Sequence, residues 1–223
     1  MAFELCPPGL IDTVIGEVFE EPLSKAGFQK VRKRVFVRSR FAEMNDVVEF
    51  HRDHLSLNFV WGFSLNFVPH LTEGVGEVRW HRTVKSARMD LRYSGFGRKP
   101  APGWCIEATR GEGELRRSAL LTRSEMLPKA LALFESVRGL RDLGELFKAH
   151  ERPNDWGWTL TMFTQVHLAY AFYLARCGQD LEARRMISEW MARHTKIYCE
   201  EALARVTEHF EEALQALNTP LKG

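Results

Sequence analysis

The feature that most constrains this chain is the alternation of residue types between Leu55 and Phe67. Every odd-numbered position in this stretch, LSLNFVWGFSLNF, is apolar. A period of two is typical of a β-strand, because successive side chains point to opposite faces of a sheet. We expect this to be the central strand, with Leu and Phe inward and Ser and Asn outward. An unbroken strand would be about 43 Å long at 3.3 Å per residue, so we predict a bend, bulge or break at Gly62.

The segments before this strand predict a helix and two more strands. Residues 10–19 place apolar side chains three and four positions apart, as an amphipathic helix does, and Gly27 is the expected helix stop. Between Val31 and Arg40 the period becomes two, which we interpret as one half-buried strand with a basic outer face. Residues 46–53 are expected to form the next strand.

The second half of the chain has helical periodicity. Thr122-Arg123-Ser124-Glu125 has the sequence of a capping box and predicts a helix start, while Gly139 and Gly178 predict helix ends. A strand-rich half followed by a helical half predicts an α+β fold. It would have an N-terminal helix packed on an antiparallel sheet of four to five strands, followed by a helical C-terminal half. We assign residues 1–120 to the helix-plus-sheet domain and residues 121–223 to a helical subdomain packed on it.

Charge is unevenly distributed along the chain. The net charge is only +2, which gives no overall field for nucleic acid or a membrane surface. Between Lys25 and Arg40, however, seven residues are basic and none is acidic. This excess predicts a surface that an acidic protein partner would approach. The predicted partner-binding residues are Arg32, Arg34, Phe36, Arg38 and Arg40.

Two other interpretations of this basic segment remain open. The arginines could follow a phosphate backbone while Phe36 offers a ring for base stacking, which would make the chain a nucleic-acid-binding protein. Alternatively, the charge could keep an edge strand from pairing with other chains.

The candidate residues for chemistry are in His51-Arg52-Asp53-His54. On a strand, His51 and Asp53 share a face, which suits a metal site or a base with an orienting carboxylate. This is the alternative of a metal-dependent or hydrolytic enzyme. The sequence has no G-x-S-x-G, P-loop or dinucleotide-binding motif, and its four cysteines show no C-x-x-C spacing. We therefore predict no catalytic residue and no cofactor.

The first residues do not have the charged-then-apolar pattern of a secretory signal, so we do not expect secretion by that route. The sequence also shows no apolar run long enough for a membrane span. We therefore expect a cytoplasmic protein with reduced thiols and no membrane partner.

Four short motifs give the first two-fifths of the chain a family resemblance. They are Gly27-Phe28-Gln29-Lys30, the pair Phe36 and Arg38, Val48-Glu49-Phe50-His51, and Phe63-Ser64-Leu65-Asn66. In this order, over about residues 8–92, they resemble an uncharacterised bacterial domain-of-unknown-function family. The resemblance implies an N-terminal helix with antiparallel strands and brings no established activity. Some small bacterial domains of this style act as immunity or antitoxin partners. We thus expect a non-enzymatic bacterial protein that binds another macromolecule, in the first place a protein.

Overall fold

The computed structural model describes residues 5–53, 55–71, 78–80, 83–94, 103–149, 159–160, 166–194 and 199–218. The strands are β1 (Gln29–Arg32), β2 (Val35–Phe41), β3 (Met44–Asp53), β4 (Ser56–Leu65), β5 (Pro69–Leu71), β6 (Val78–Trp80), β7 (Leu91–Ser94), β8 (Cys105–Glu107) and β9 (Thr159–Leu160). The helices are α1 (Pro8–Lys25), α2 (Glu112–Glu125), α3 (Leu127–Ser136), α4 (Leu140–Ala149), α5 (Val166–Arg176), α6 (Asp180–His194) and α7 (Glu200–Asn218), with a 3-10 turn at Val84–Ser86.

The main sheet is antiparallel and confirms the α+β prediction. Its strand order is β1-β2-β3-β4-β7-β9, and β8 pairs with β4 beside β7. In the described ranges this makes seven strands, more than the predicted four to five, because the segment predicted as one strand from Val31 to Arg40 forms two, and the two-residue β9 is too short to show periodicity. β5 and β6 form a separate hairpin.

β4 is the central strand, as predicted, but it does not break at Gly62. Its ladder to β3 continues in register from Ser56 to Leu65, with Gly62 opposite Val47. A Cβ atom at Gly62 would lie 1.8 Å from the carbonyl oxygen of Leu91. The glycine is therefore required by the close approach of β7 and not by a bend in β4.

Both faces of β4 are buried, so the prediction of an outward polar face was wrong. Its odd-numbered side chains join the main core beneath α1, where the Phe19 ring lies 5.9 Å from that of Phe59. The segment before β7 covers part of the other face: Ser64 Oγ accepts the Arg88 N–H at 3.2 Å, and Asp90 Oδ2 accepts the Leu65 N–H at 2.6 Å.

The predicted strand from Val31 to Arg40 is in fact a tight hairpin. β1 and β2 pair with each other, and Lys33 and Arg34 form the turn between them. Arg34 adopts a positive φ of 63°, a conformation that costs energy for a residue with a side chain. The sequence carries no signal for this hairpin, because its turn residues, Lys33 and Arg34, are not the Gly, Asn or Asp that mark tight turns.

α1 ends where the sequence predicts. Gly27 has φ +85°, and the Phe28 N–H donates to the Leu23 carbonyl at 2.9 Å, which closes the helix end. The buried stripe of α1 faces the sheet and consists of Ile11, Val14, Ile15, Val18, Phe19 and Leu23.

The helical half begins earlier than predicted. α2 starts at Glu112, and Thr122 is a buried residue near its end, so the capping-box interpretation of Thr122–Glu125 was wrong. The physical reason is the buried stripe of Leu115, Ser118, Ala119 and Thr122, which packs α2 on β8 and α1. α2 thus runs across residue 120, where the domain boundary was predicted. Gly139 and Gly178 do separate helices as expected.

Candidate functional site

The basic residues of β2 point toward the helices and not outward. Arg38 and Arg40 share a sheet face with Phe36, which is 1% exposed and belongs to the main core. Between the two arginines lies Asp46 of β3, also 1% exposed. Its Oδ2 accepts from Arg38 Nε at 2.9 Å and from Arg40 Nε at 2.7 Å. The prediction of a basic outer face was therefore wrong for β2.

These two arginines join the sheet to neighbouring helices. Arg38 donates to the Ala26 carbonyl at 3.0 Å and to Glu135 Oε1 at 2.8 Å, and its guanidinium lies 4.9 Å from the Phe28 ring centroid. Arg40 donates to carbonyl groups at the end of α3, including Val137 at 3.2 Å. Their hydrogen-bonding capacity is thus used largely within the chain.

The other two predicted arginines also have partners within the chain. Arg34 Nε donates to Asp12 Oδ1 of α1 at 2.6 Å, and Arg32 Nη2 donates to the Ala87 carbonyl at 2.6 Å. The structure brings Arg38 and Arg40 together around one carboxylate and places Arg32 and Arg34 elsewhere. That these arginines contact a partner stays a prediction.

The predicted chemical cluster is open and only partly described. His51 Nδ1 lies 4.0 Å from Glu49 Oε1, and both side chains are substantially exposed. His54 and the side chain of Asp53 lie outside the described residues. Among the side chains that the structure describes, no three of His, Cys, Asp or Glu are grouped to hold a metal ion.

The outer side of α2 carries an apolar spot that was not predicted from the sequence. Leu120 and Leu121 are 51% and 44% exposed, although both are large and apolar. They line a shallow hollow of about 550 Å³. Its other lining residues are Glu114, Arg117, Ser118, Arg123 and Ser124. The helical periodicity around Leu115 and Ala119 would have identified this exposed side, but the wrong helix start at Thr122 concealed it.

A second missed residue is Arg92 of β7, on the face of the sheet opposite the main core. It is directly across from Gly62, and the residue as a whole is half-buried. Burial lowers the pKa of Arg92, and the nearby Glu49 carboxylate partly opposes that shift. The only sequence signal is one arginine within a basic stretch, which gave no reason to single it out.

Comparisons of the chain with models of protein families, with curated proteins and with solved structures find no match in any of the three. Within the described ranges, no helix is both long and apolar enough to cross a membrane.

Proposed function

We propose that this protein is a non-enzymatic module that binds another protein, and that its contact surface is the outer side of α2. The observation that carries this proposal is the adjacent, exposed pair Leu120 and Leu121. Exposed single leucines are common on protein surfaces, but two adjacent leucines that line the same hollow offer a partner one continuous apolar contact.

Packing among the residues that the structure describes does not account for these two leucines. α2 packs on α1 and β8 through its opposite side, so Leu120 and Leu121 remain about half exposed to water. Covering apolar surface stabilises a complex by about 25 cal/mol per Å². A partner that covers both leucines would gain this energy, whereas the isolated protein does not.

The border of the spot has the polar character of an interface rim. Arg117 is paired with Glu114 at 2.8 Å, and Arg123 lines the hollow beside them. An apolar centre within a charged border is the usual anatomy of a protein–protein contact. The arginines of β2 support partner binding less, because a partner would have to replace the buried carboxylate of Asp46.

The test is a double substitution, Leu120→Ser with Leu121→Ser, compared with the control Leu181→Ser. Leu181 on α6 is 89% exposed and lies outside the proposed surface. Proteins that co-purify with the wild-type chain from its source cells are identified, purified and titrated against all three forms. We expect the double variant to bind at least about tenfold more weakly, the ratio for 1.4 kcal/mol, and the control to bind normally.

The same variants separate loss of contact from loss of folding. Because both leucines are exposed, their replacement should change the free energy of unfolding by less than about 0.5 kcal/mol each. Equal binding by the double variant and the wild type would contradict the proposed surface. A toxin encoded beside this chain would be the first partner to titrate.

A further inference from the structure

The face of the sheet opposite the main core carries a group of polar side chains around β3, β4 and β7. Gly62 pairs with Val47 on one side and with Arg92 on the other, so the side chains of Val47 and Arg92 share this face. Glu49 and His51 follow Val47 at spacings of two and lie on the same face. The guanidinium of Arg92 is near enough to β3 for the Glu49 carboxylate to act on its charge.

Arg92 has an unusual pattern of unpaired nitrogen atoms. Its Nε and Nη2 are both buried, and neither has a hydrogen-bond partner among the described residues. These two nitrogens form one edge of the guanidinium plane. Their N–H groups point in parallel, which is the geometry that holds both oxygens of a carboxylate.

Two other largely buried arginines differ from Arg92, because each of them has a carboxylate partner within the chain. Arg38 and Arg40 also have mostly buried side chains, and each has the carboxylate of Asp46 at hydrogen-bond distance. A buried charge without such a partner is strongly disfavoured unless a ligand supplies it. Arg92 lacks that carboxylate, although Glu49 is close enough to attract it through space.

We propose that the Nε–Nη2 edge of Arg92 binds the carboxylate of a ligand on this face of the sheet. The charge of Glu49 favours a singly charged group over a doubly charged phosphate, because the repulsion grows with ligand charge. The two nitrogens are covered in the ligand-free protein, so binding requires neighbouring side chains to move. Glu49 and His51 are 39% and 49% exposed and can turn into solvent.

The opposing explanation is an internal ion pair in which Glu49 rotates onto Arg92. The two explanations predict opposite effects of Glu49→Gln. An internal pair would be broken, and the protein would lose stability. A ligand site would lose a repelling charge, so its affinity for a carboxylate would rise by about fivefold.

The experiment uses acetate as the probe. The Nε–H resonances of the ¹⁵N-arginine-labelled protein are followed while sodium acetate replaces sodium chloride at constant ionic strength. The Arg92 Nε–H is assigned through its bonds to the sequentially assigned backbone and checked with Arg92→Met, and the exposed Arg88, with its variant Arg88→Met, is the control. We expect a saturable shift at Arg92 and none at Arg88. The unfolding midpoint should rise by about 3 to 6 °C at acetate ten times the dissociation constant.

The outcomes decide between the explanations even if Arg92→Met does not fold. The carboxylate site is supported if the Arg92 shift saturates and if the dissociation constant for acetate is lower in Glu49→Gln than in the wild type. An Arg92 resonance that acetate leaves unchanged in both wild type and Glu49→Gln overturns it, as does a midpoint rise that Arg92→Met retains in full.

Discussion

At the scale of single residues, the buried carboxylate of Asp46 organises one edge of the sheet. Arg38 and Arg40 converge on it, and Arg38 also contacts the Phe28 ring and the Ala26 carbonyl. Gly27 and Phe28 thus meet Arg38 in space, and this contact attaches the end of α1 to β2. These three residues therefore have a structural role.

We predict that Asp46→Asn destabilises the fold by about 3 kcal/mol, because it removes the one buried carboxylate that two largely buried guanidinium groups share. Unfolding in urea, followed by circular dichroism, measures the change. The matched control is Glu135→Gln, which removes a 63% exposed partner of the same arginines. An exposed ion pair contributes at most about 1 kcal/mol. If both variants lost the same free energy of unfolding, the burial of Asp46 would not determine how much its carboxylate stabilises the fold.

At the scale of elements, β4 holds the sheet together through its two edges. One edge pairs with β3 over the whole strand, and the other pairs with both β7 and β8. The approach of β7 leaves no room for a side chain at Gly62. A glycine that sequence analysis treats as a weak point is therefore a point of close packing.

Gly62→Ala should lower the free energy of unfolding by about 3 kcal/mol, since the new methyl group overlaps the Leu91 carbonyl and displaces β7. The control is Gly16→Ala in α1, where the nearest atoms lie at ordinary contact distances of 3.6 Å and beyond. That change should stabilise the protein by about 0.5 kcal/mol, because alanine favours a helix interior. If both variants unfold at the wild-type urea concentration, the close packing at Gly62 has no energetic importance.

At the scale of the whole molecule, the two halves of the chain share one hydrophobic core. It extends from Cys6 before α1 to Phe210 in α7. Phe134 of α3 is central to the connection, since its ring lies 5.6 Å from Phe28 and 5.5 Å from Phe63. A shared core predicts that the halves stabilise each other.

We expect the wild-type protein to unfold in one transition, with tryptophan fluorescence and far-ultraviolet circular dichroism changing together. Phe134→Ala should cost about 4 kcal/mol and lower the midpoint of both signals equally. Two separate transitions in the wild type would instead support independent units with a boundary near residue 120. The experiment therefore tests the domain assignment directly.

The sequence predicted the helices and strands that have strong local patterns. It failed where the structure of one segment depends on its packing against another. α1, its end at Gly27 and the central position of β4 follow from periodicity and backbone preference. The turn at Arg34 and the start of α2 have no such local signal. The candidate sites were missed for the same reason, because the exposure of Leu121 and the unpaired edge of Arg92 depend on what packs beside them.

The sequence by itself determined that this chain forms an N-terminal helix, an antiparallel sheet and a helical second half. The spacing of apolar residues shows the type of each element and which of its sides is apolar. Only the tertiary structure decided which sides became interior. The arginines of β2 face inward because Asp46 pairs opposite Arg38 and supplies their countercharge, and the leucines of α2 face outward because its other side already covers β8. Burial is a property of neighbouring segments, and a local pattern cannot specify it.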